Sequence, residues 1–446
     1  MKIEVFVDPA NAQFRKEFAQ VVLKSQNFRE PYRLDMDFFP FLKFFDTKSG
    51  AAMDFLYFSS IIYVIDKIVS RKNSEDNWTR NIELLVPITE AERWNQMSGD
   101  IENILSFLSG DNWKLLFKKL DCSLFRKTRQ RKTKKLLEPA VKFDGVSLFS
   151  GGLDSLMGTI DWLEINRTEK ILLVSHHDGN ISGPGSVQRN LKEVLSKNYP
   201  GRIWHLQTRI AQIPRKNNDH NYRCRSLLYM AMGIFAANSV RENISLMVPE
   251  NGSISLNYPL SAARISSLST RTVHPYYIEE LNKLLRNLRI NNSVINPYCL
   301  KTKGEMAFDC FERGKEALEE TVPISVSCAK GRRSAKNWKN KSAKACGRCL
   351  PCIYRRAALN KVNLDDFVPG YYGDDLHEID LNSGQKASSD LKAIVSLIKS
   401  KKSKKEIKRT LLSTCKIKFN ELDAYADLVT RTISEVSVLL KKAGVI

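Results

Sequence analysis

No run of apolar residues in this chain approaches the ~20 residues that a transmembrane helix requires, so we do not expect it to span a membrane. Its opening stretch, Met1 to Asp8, alternates apolar and polar residues like a β-strand and lacks a cleavable signal pattern. Of the 446 residues, 43% are hydrophobic and 27% are charged, which is typical of soluble globular proteins. We therefore expect a cytoplasmic protein of two or three domains.

Acidic residues are in deficit. The chain has 49 aspartates and glutamates against 70 lysines and arginines, which gives a formal net charge of +21. This excess predicts attraction to nucleic acid, to nucleotides or to an acidic protein, without choosing among them. A basic run at residues 126–135 is either a solvated connector between domains or a nucleic-acid contact.

Two well-known nucleotide-binding signatures are missing from the most informative stretch, residues 146–155. It has no Gly-Lys-Ser/Thr ending, which excludes a Walker A loop, and it has no Gly-x-Gly-x-x-Gly fingerprint. What it has is a short apolar run led by Val146 and Leu148, which predicts a buried parallel strand. Ser150-Gly151-Gly152 then predicts a turn, and apolar residues at helical spacing predict a helix after it.

A strand, a glycine turn and a helix start form a cradle for a phosphate, because the free N–H groups and the dipole of the helix attract anions. Gly151 and Gly152 allow the backbone to approach a ligand closely. Asp154 adds a carboxylate where a magnesium ion would sit between phosphates, and Ser150 and Ser155 add hydroxyl donors. An ordinary glycine-rich strand-to-helix turn is the alternative interpretation.

This stretch resembles the Ser-Gly-Gly-x-Asp-Ser loop of the N-type ATP pyrophosphatases, or PP-loop enzymes. Members of that family split ATP between the α and β phosphates and leave AMP on an oxygen of the substrate. The resemblance implies an α/β fold with a five-stranded, HUP-like (adenine nucleotide alpha hydrolase-like) parallel sheet. It implies ATP-binding residues in the loop and at one later arginine: Ser150, Gly151, Gly152, Leu153, Asp154, Ser155 and Arg225. It also implies catalytic roles for Asp154, Ser155 and Lys303.

From residue 141 to about residue 325, strand and helix patterns alternate, which predicts a parallel sheet with helices on both faces. Ligands of such sheets bind beyond the carboxyl ends of the strands, so the loops there should share one mouth. Polar residues of these loops are candidate substrate-binding residues: His176, Arg223, Glu250, Asn251 and Arg271. For each arginine a surface ion pair is the alternative, and the histidine is equally compatible with ordinary packing.

Four of the nine cysteines are clustered in the sequence: Cys328, Cys346, Cys349 and Cys352. The last three form two overlapping Cys-x-x-Cys steps. Four thiolates satisfy tetrahedral zinc without an open position, so the spacing predicts a structural zinc site. An iron–sulfur cluster and a redox dithiol are the alternatives. The other five cysteines are scattered and are expected to be packing residues.

With both motifs in place, residues 143 to 362 resemble the 7-cyano-7-deazaguanine synthase (QueC) family, and the longer chain resembles the QatC-type relatives of bacterial anti-phage operons. The resemblance implies ATP, magnesium and a 7-carboxy-7-deazaguanine-like acid, which is adenylated and then attacked by an amine. In the defence-associated relatives the amine is thought to belong to a partner protein. A tRNA-modifying PP-loop enzyme, with Cys224 as the thiol of a thiolation version, and a non-catalytic scaffold remain alternatives.

These expectations divide the chain into three parts. Residues 1–140 are predicted to be an α+β domain of unknown role, in which residues 52–66 form a helix buried on most sides. Residues 141–365 are the predicted PP-loop domain, with the zinc-stapled segment at 328–352. Residues 366–446 are a predicted helical extension, which is either a partner-binding bundle or packed against the rest.

Overall fold

The computed structural model of the chain describes residues 1–9, 18–45, 50–125, 141–177, 184–216, 218–219, 222–260, 271–365, 370–379, 381 and 388–446. The basic run at residues 126–135 lies outside them. The strands are β1 (Lys2–Asp8), β2 (Gln20–Lys24), β3 (Tyr32–Met36), β4 (Asn81–Ile88), β5 (Asn112–Lys119), β6 (Gly145–Leu148), β7 (Ile171–His176), β8 (Ile203–Thr208), β9 (Ile210–Ile213), β10 (Leu246–Met247) and β11 (Val294–Ile295).

The helices connect and cover these strands. They are α1 (Phe39–Leu42), α2 (Ala51–Ile68), α3 (Ala91–Gln96), α4 (Ser98–Ser109), α5 (Leu153–Ile165), α6 (Pro184–Asn198), α7 (Arg225–Val240), α8 (Gly252–Leu256), α9 (Pro275–Asn287), α10 (Lys303–Thr321), α11 (Leu350–Lys361), α12 (Ser389–Lys399), α13 (Lys404–Thr414) and α14 (Leu422–Lys442).

The first sheet has six strands in the order β5-β4-β1-β2-β3-β9. The pairs β4–β5 and β1–β4 are parallel, and the remaining pairs are antiparallel. Burial alternates strictly along β5, where Trp113, Leu115 and Phe117 point into the core. The sixth strand, β9, comes from residues 210–213, so the sheet of the N-terminal part is completed by a strand from the middle of the chain.

Helix α2 is buried along its whole length, since every residue from Ala52 to Ile68 is buried. It lies between the first sheet and α7, and a single hydrophobic core runs across all three elements. This placement explains why its sequence is apolar on all sides rather than along one stripe.

A buried ion cluster fixes the end of α2. Arg80 donates to Asp66 at 2.7 Å, and Arg71 donates to Asp111 at 2.7 Å, with all four side chains 3% exposed or less. Asp66 also accepts a hydrogen bond from the amide of Cys224, the residue before α7, at 2.8 Å. Removing one member would leave a buried charge unpaired, at a cost of about 3–5 kcal/mol. The cluster therefore holds the N-terminal part in register with α7.

The second sheet has five parallel strands in the order β11-β10-β6-β7-β8. Leu172 and Val174 of β7 join the core that contains α7, while Ile171 and Leu173 join the core beneath α5 and α10. The predicted α/β architecture with a five-stranded parallel sheet is thus confirmed, and helices cover both of its faces. The strand order reverses between β6 and β10, which is where such sheets bind ligands.

The C-terminal helices pack against the rest of the chain. Helices α12, α13 and α14 share a third hydrophobic core with α8 and α11. Among the described residues, no helix combines the length and the apolar character that crossing a lipid bilayer requires.

One buried histidine makes the stability of this fold depend on pH. His274 is the N-cap of α9, and its Nδ1 accepts a hydrogen bond from the Tyr276 amide at 3.2 Å. Burial, and then the charges of Arg271 and Lys416, lower the pKa of His274 to about 3, against about 6.5 in an unfolded chain. The unfolded state therefore binds the proton first. On the order of 4–5 kcal/mol of stability is lost as the pH falls from about 6.5 to about 3.

We expect the substitution His274→Asn to flatten this acid branch, because asparagine keeps the capping acceptor and does not titrate. The measurement is the free energy of unfolding in urea at several pH values. The pH-dependent difference between the two proteins is the readout, so a constant packing loss in the variant does not matter. Parallel stability–pH curves for the two proteins would contradict the assignment.

Candidate functional site

The loop after β6 makes the turn that its glycines predict. Gly151 has a φ of +83°, a backbone region that favours glycine, and a Cβ at this position would lie 3.2 Å from Val187 Cγ1. Gly152 is the N-cap residue, and α5 begins at Leu153. The loop thus delivers the chain directly into the N-terminus of a helix, at the carboxyl edge of the parallel sheet.

The amides of this loop are hydrogen-bonded to serine hydroxyls. Gly152 N–H donates to Ser150 Oγ at 3.2 Å, and Ser150 N–H donates to Ser155 Oγ at 3.2 Å. Leu153 N–H donates to Ser327 Oγ at 2.9 Å. These hydroxyl oxygens occupy acceptor positions that phosphate oxygens are expected to take. A phosphate would replace neutral hydrogen bonds by charge-assisted ones, which are stronger.

Asp154, in the first turn of α5, forms a buried ion pair. Its Oδ2 accepts from Lys303 Nζ at 2.8 Å and from Asn251 Nδ2 at 3.1 Å. The side chains of Asp154 and Lys303 are 10% and 6% exposed, so water screens the pair little. Burial alone would raise the pKa of Asp154, but the charge and hydrogen bonds around it, led by Lys303, hold that pKa below its usual range.

Glu250 faces the same carboxylate. Burial, and then the negative charge of Asp154, raise the pKa of Glu250 well above its usual range. Asp154 Oδ1 is buried and has no hydrogen-bond partner among the residues that the structure describes. Ionised carboxylates are the hard oxygen ligands that Mg²⁺ prefers, so Asp154 and Glu250 could share a magnesium ion once Glu250 loses the proton that its raised pKa favours.

Three separate loops bring these groups together. Asp154 follows β6, Glu250 and Asn251 follow β10, and Lys303 follows β11. Lys303 is the first residue of α10. A capping box between Thr302 and Glu305, the third residue of the helix, fixes the start of α10. The loops after β6 and β10 flank the point where the strand order reverses, and β11 lies next to β10 in the sheet.

A cavity of about 320 Å³ opens beside the loop. Five of the predicted site residues line it: Ser150, Ser155, His176, Arg225 and Glu250. The remaining wall is largely apolar and aromatic, with Tyr229, Met230 and Val273 among its members. A volume of this size, with a few polar groups in an apolar wall, is typical of a small-molecule site.

Two of the lining residues differ in how freely they can meet a ligand. His176 Nε2 lies 2.9 Å from the backbone oxygen of Ile210, and its ring packs edge-on against Tyr63 of α2, with centroids 5.4 Å apart. Arg225 is the first residue of α7 and is exposed, with its guanidinium 5.7 Å from the centre of the Tyr229 ring. Arg225 is thus the more exposed of these two side chains at the cavity.

Two predicted substrate-binding arginines do not line the cavity. The Arg223 guanidinium lies 5.6 Å over the ring of Trp78 in the N-terminal part. Arg271 lies 4.1 Å over the ring of Phe107 and donates to its backbone oxygen at 2.8 Å. Asn251 does not line it either, because its amide is directed at Asp154. Each of these three residues lies within two positions of a cavity-lining residue in the sequence. The course of its loop nevertheless directs its side chain away from the cavity.

The four clustered cysteines come together as predicted. Their sulfur atoms lie within 4.8 Å of one another, and two of the separations, Cys346–Cys352 and Cys349–Cys352, are 3.8 and 3.4 Å. Tetrahedral zinc with bonds of about 2.3 Å places its sulfurs about 3.8 Å apart. The group can therefore hold a single structural metal ion such as zinc. A cluster of four irons would separate the sulfurs further, since each sulfur would bind a different iron.

The segment that leads into the four cysteines contacts the glycine loop of residues 150–153 directly. Val326 N–H donates to Gly151 O at 3.0 Å, and Ser327 accepts from the amide of Leu153. Cys328 comes next in the chain. A metal ion at the four cysteines would thereby fix two contacts of the loop, through a segment that has only a small apolar core of its own.

The predicted packing cysteine nearest the mouth, Cys224, is fully buried and does not line the cavity. Burial, and then the charge of Asp66, raise the pKa of its thiol well above its usual range. A thiol in this state is a poor nucleophile.

Two contributors to the site were absent from the residues predicted from the sequence. Ser327 accepts a hydrogen bond from the Leu153 amide, and Gln188 of α6 donates to the backbone oxygens of Ser150 and His176 at 3.2 Å each. Glu250 was predicted as a substrate-binding residue, and the structure places it against Asp154. Only Ser327 carried a signal, since it directly precedes the first clustered cysteine.

No protein-family model, curated protein or solved structure shows a significant match to the chain.

The four cysteines give a prediction about metal content. The purified protein should contain about one zinc per chain by elemental analysis, and Cys349→Ser should lose it, because three thiolates leave a tetrahedral site incomplete. The control is Cys310→Ser, which alters a buried cysteine outside the cluster. Iron with acid-labile sulfide would contradict the zinc assignment, and an unchanged metal content in the Cys349 variant would contradict the ligand set.

Another prediction concerns the loop. We expect Gly151→Ala to abolish binding of magnesium–ATP, measured by calorimetry, because the new Cβ would be strained and pressed against Val187. Gly201→Ala is a matched control, since Gly201 also has a positive φ of +70° but nothing lies within 4 Å of its virtual Cβ. Both variants should lose about 1 kcal/mol of stability. Equal loss of binding in both would mean that the loop has no particular role.

Proposed function

We propose that the protein is an ATP-dependent ligase of the PP-loop type with a HUP-like nucleotide domain, which adenylates an organic acid and releases pyrophosphate. The observation that carries the proposal is the buried Asp154, which is held by Lys303 and Asn251 and faces Glu250. It lies at the start of a helix that follows a double-glycine turn, beside a cavity at the ligand-binding edge of a parallel sheet.

In this proposal the triphosphate of ATP binds to the loop amides and hydroxyls of residues 150–155, with Arg225 offsetting further negative charge. Asp154 and Glu250 hold magnesium, which, when bound, supplies positive charge that neutralises the phosphates. Lys303 remains beside Asp154 and keeps that carboxylate ionised, and hence able to bind a cation, down to low pH.

The proposed reaction has two steps. A carboxylate oxygen of the acid bonds to the α-phosphorus of ATP while the bond from that phosphorus to the α,β-bridging oxygen breaks, and pyrophosphate leaves. An amine nitrogen then bonds to the acyl carbon, loses a proton, and AMP leaves with the electrons of the C–O bond. Negative charge builds on the α-phosphate oxygens in the first step, and cations fixed at the site stabilise it.

We further propose that the acid is 7-carboxy-7-deazaguanine-like, that the amine belongs to a partner protein, and that the reaction serves cytoplasmic anti-phage defence. The support for this acid is the resemblance of the loop and cysteine motifs to the QueC family. The cavity has a suitable volume for a purine-sized acid, and Arg225 can pair with a carboxylate. The net charge of +21 favours a macromolecular acceptor over free ammonia.

The same charge favours a second candidate, a PP-loop enzyme that modifies tRNA. The thiolation version needs a reactive cysteine at the site. Among the described residues, none of those lining the cavity is a cysteine, and Cys224 is buried with a raised pKa. The adenylating version without sulfur transfer is the stronger form of this candidate.

The test is AMP formation by the full chain with magnesium, ATP and an amine, supplied as ammonium. We expect AMP only when 7-carboxy-7-deazaguanine is added as well, with an oxygen of the acid appearing in AMP if the acid is ¹⁸O-labelled. AMP formed only with tRNA would favour the second candidate, and no AMP with either would favour a non-catalytic scaffold. Mass spectrometry of co-expressed partner proteins would reveal an attached deazapurine.

The matched variants are Asp154→Asn and Asp309→Asn. The first removes the charge that pairs with Lys303 and should reduce AMP formation by on the order of a hundredfold or more. The second removes a half-buried carboxylate on α10, which pairs with Lys301 and not with Lys303, and should leave the rate unchanged. A normal rate in Asp154→Asn would refute the proposed role of this carboxylate.

A further inference from the structure

The C-terminal helix α14 packs against both segments that supply hydrogen bonds to Asp154. Four residues of α14 make these contacts, and they recur at intervals of one, three or four positions, so they lie on one face of the helix: Leu428, Arg431, Thr432 and Glu435. One of the two segments is the start of α8, next to Asn251, and the other is the start of α10, which begins with Lys303.

Glu435 holds the start of α10 from both sides of Lys303. Its Oε1 accepts from Thr302 Oγ1 at 2.6 Å, and its Oε2 accepts from the Gly304 amide at 3.2 Å. The Glu435 side chain is 17% exposed, and it also pairs with Lys361 of α11 at 3.3 Å. A Cβ at Gly304 would lie 2.6 Å from Glu435 Oε1, so the absence of a side chain there is what allows this contact.

The neighbouring turns of α14 hold the Asn251 segment. Thr432 Oγ1 and Ser253 Oγ lie 2.6 Å apart, and both residues are buried. A Cβ at Gly252 would lie 2.7 Å from Leu428 Cδ2, so this backbone also approaches the helix closely. Arg431 Nε donates to Glu305 at 2.7 Å, which adds a contact to the first turn of α10.

We infer that α14 is a positioning element for the candidate site, and that Glu435 is its principal positioning residue. Glu435 touches neither Asp154 nor the cavity among the contacts found. It acts through Thr302 and Gly304, which flank Lys303 and set the direction in which the lysine leaves the backbone. The catalytic consequence of this inference rests on the proposed function, whereas the structural consequence does not.

The first test measures the position of Lys303 without any activity. The full-length protein is pulse-labelled with an amine acetylating reagent, and the labelling of Lys303 is followed by peptide mass spectrometry. A lysine that is buried and paired is protected, so wild type should label slowly. In Glu435→Gln one of the two accepting oxygens becomes a donor amide, and we expect Lys303 to label several-fold faster.

Two further variants make this test specific. Gly304→Ala should also speed labelling, because the new Cβ displaces the Glu435 carboxylate without changing any charge. Asp427→Asn is the control, since Asp427 lies on the same helix but pairs with Lys404 of α13, at 2.6 Å. Lys303 labelling that is unchanged in both Glu435→Gln and Gly304→Ala would overturn the inference.

The second test uses acid-dependent AMP formation. For Glu435→Gln we expect kcat to fall about tenfold to a hundredfold with little change in the KM for ATP, since the loop and the cavity are untouched and only Lys303 is displaced. Asp427→Asn should behave as wild type. A fall in activity that matches the fraction unfolded in a thermal melt would overturn the positioning role. Absence of AMP in wild type would refute the proposed function. The labelling test would still show whether Glu435 fixes the position of Lys303.

Discussion

The contact between Asp154 and Lys303 is the interaction on which the candidate site depends. Two opposite charges removed from water are stable only when each meets its partner in good geometry, and an error of one residue in any of three loops would leave one charge unpaired. The structure meets this condition with a capping box at Thr302, an Asn251 hydrogen bond and a C-terminal helix that clasps the start of α10.

The N-terminal part and the sheet domain are not separable bodies. Helix α2 is buried between the first sheet and α7, strand β9 of the middle region completes the first sheet, and the ion cluster around Asp66 reaches the residue before α7. Arg225 begins α7, so the N-terminal part helps to set where this exposed side chain of the cavity lies. The N-terminal part, whose sequence carries no chemical motif, therefore supports the candidate site.

The segment that leads into the four cysteines also supports the site. Val326 and Ser327 form hydrogen bonds with the glycine loop immediately before Cys328, so the four-cysteine segment and the loop are coupled. A metal ion held by the four cysteines would fill a closed set of ligands and would stabilise the loop without offering a position to a substrate.

Local chemistry in the sequence was enough to predict the glycine turn, the helix that follows Gly152, a parallel sheet and the cluster of four cysteines that could hold a metal, because each depends on residue spacing or on periodic burial. Residue spacing could not predict the partners of Asp154, the hydrogen bond from the Leu153 amide to Ser327, or the hydrogen bonds that Glu435 accepts from the start of α10. They join residues far apart in the chain, and Arg223 and Arg271 show that closeness to a loop does not decide where a side chain points. The packing of helices and sheets decides it, since the direction of a loop is set by the elements that it connects.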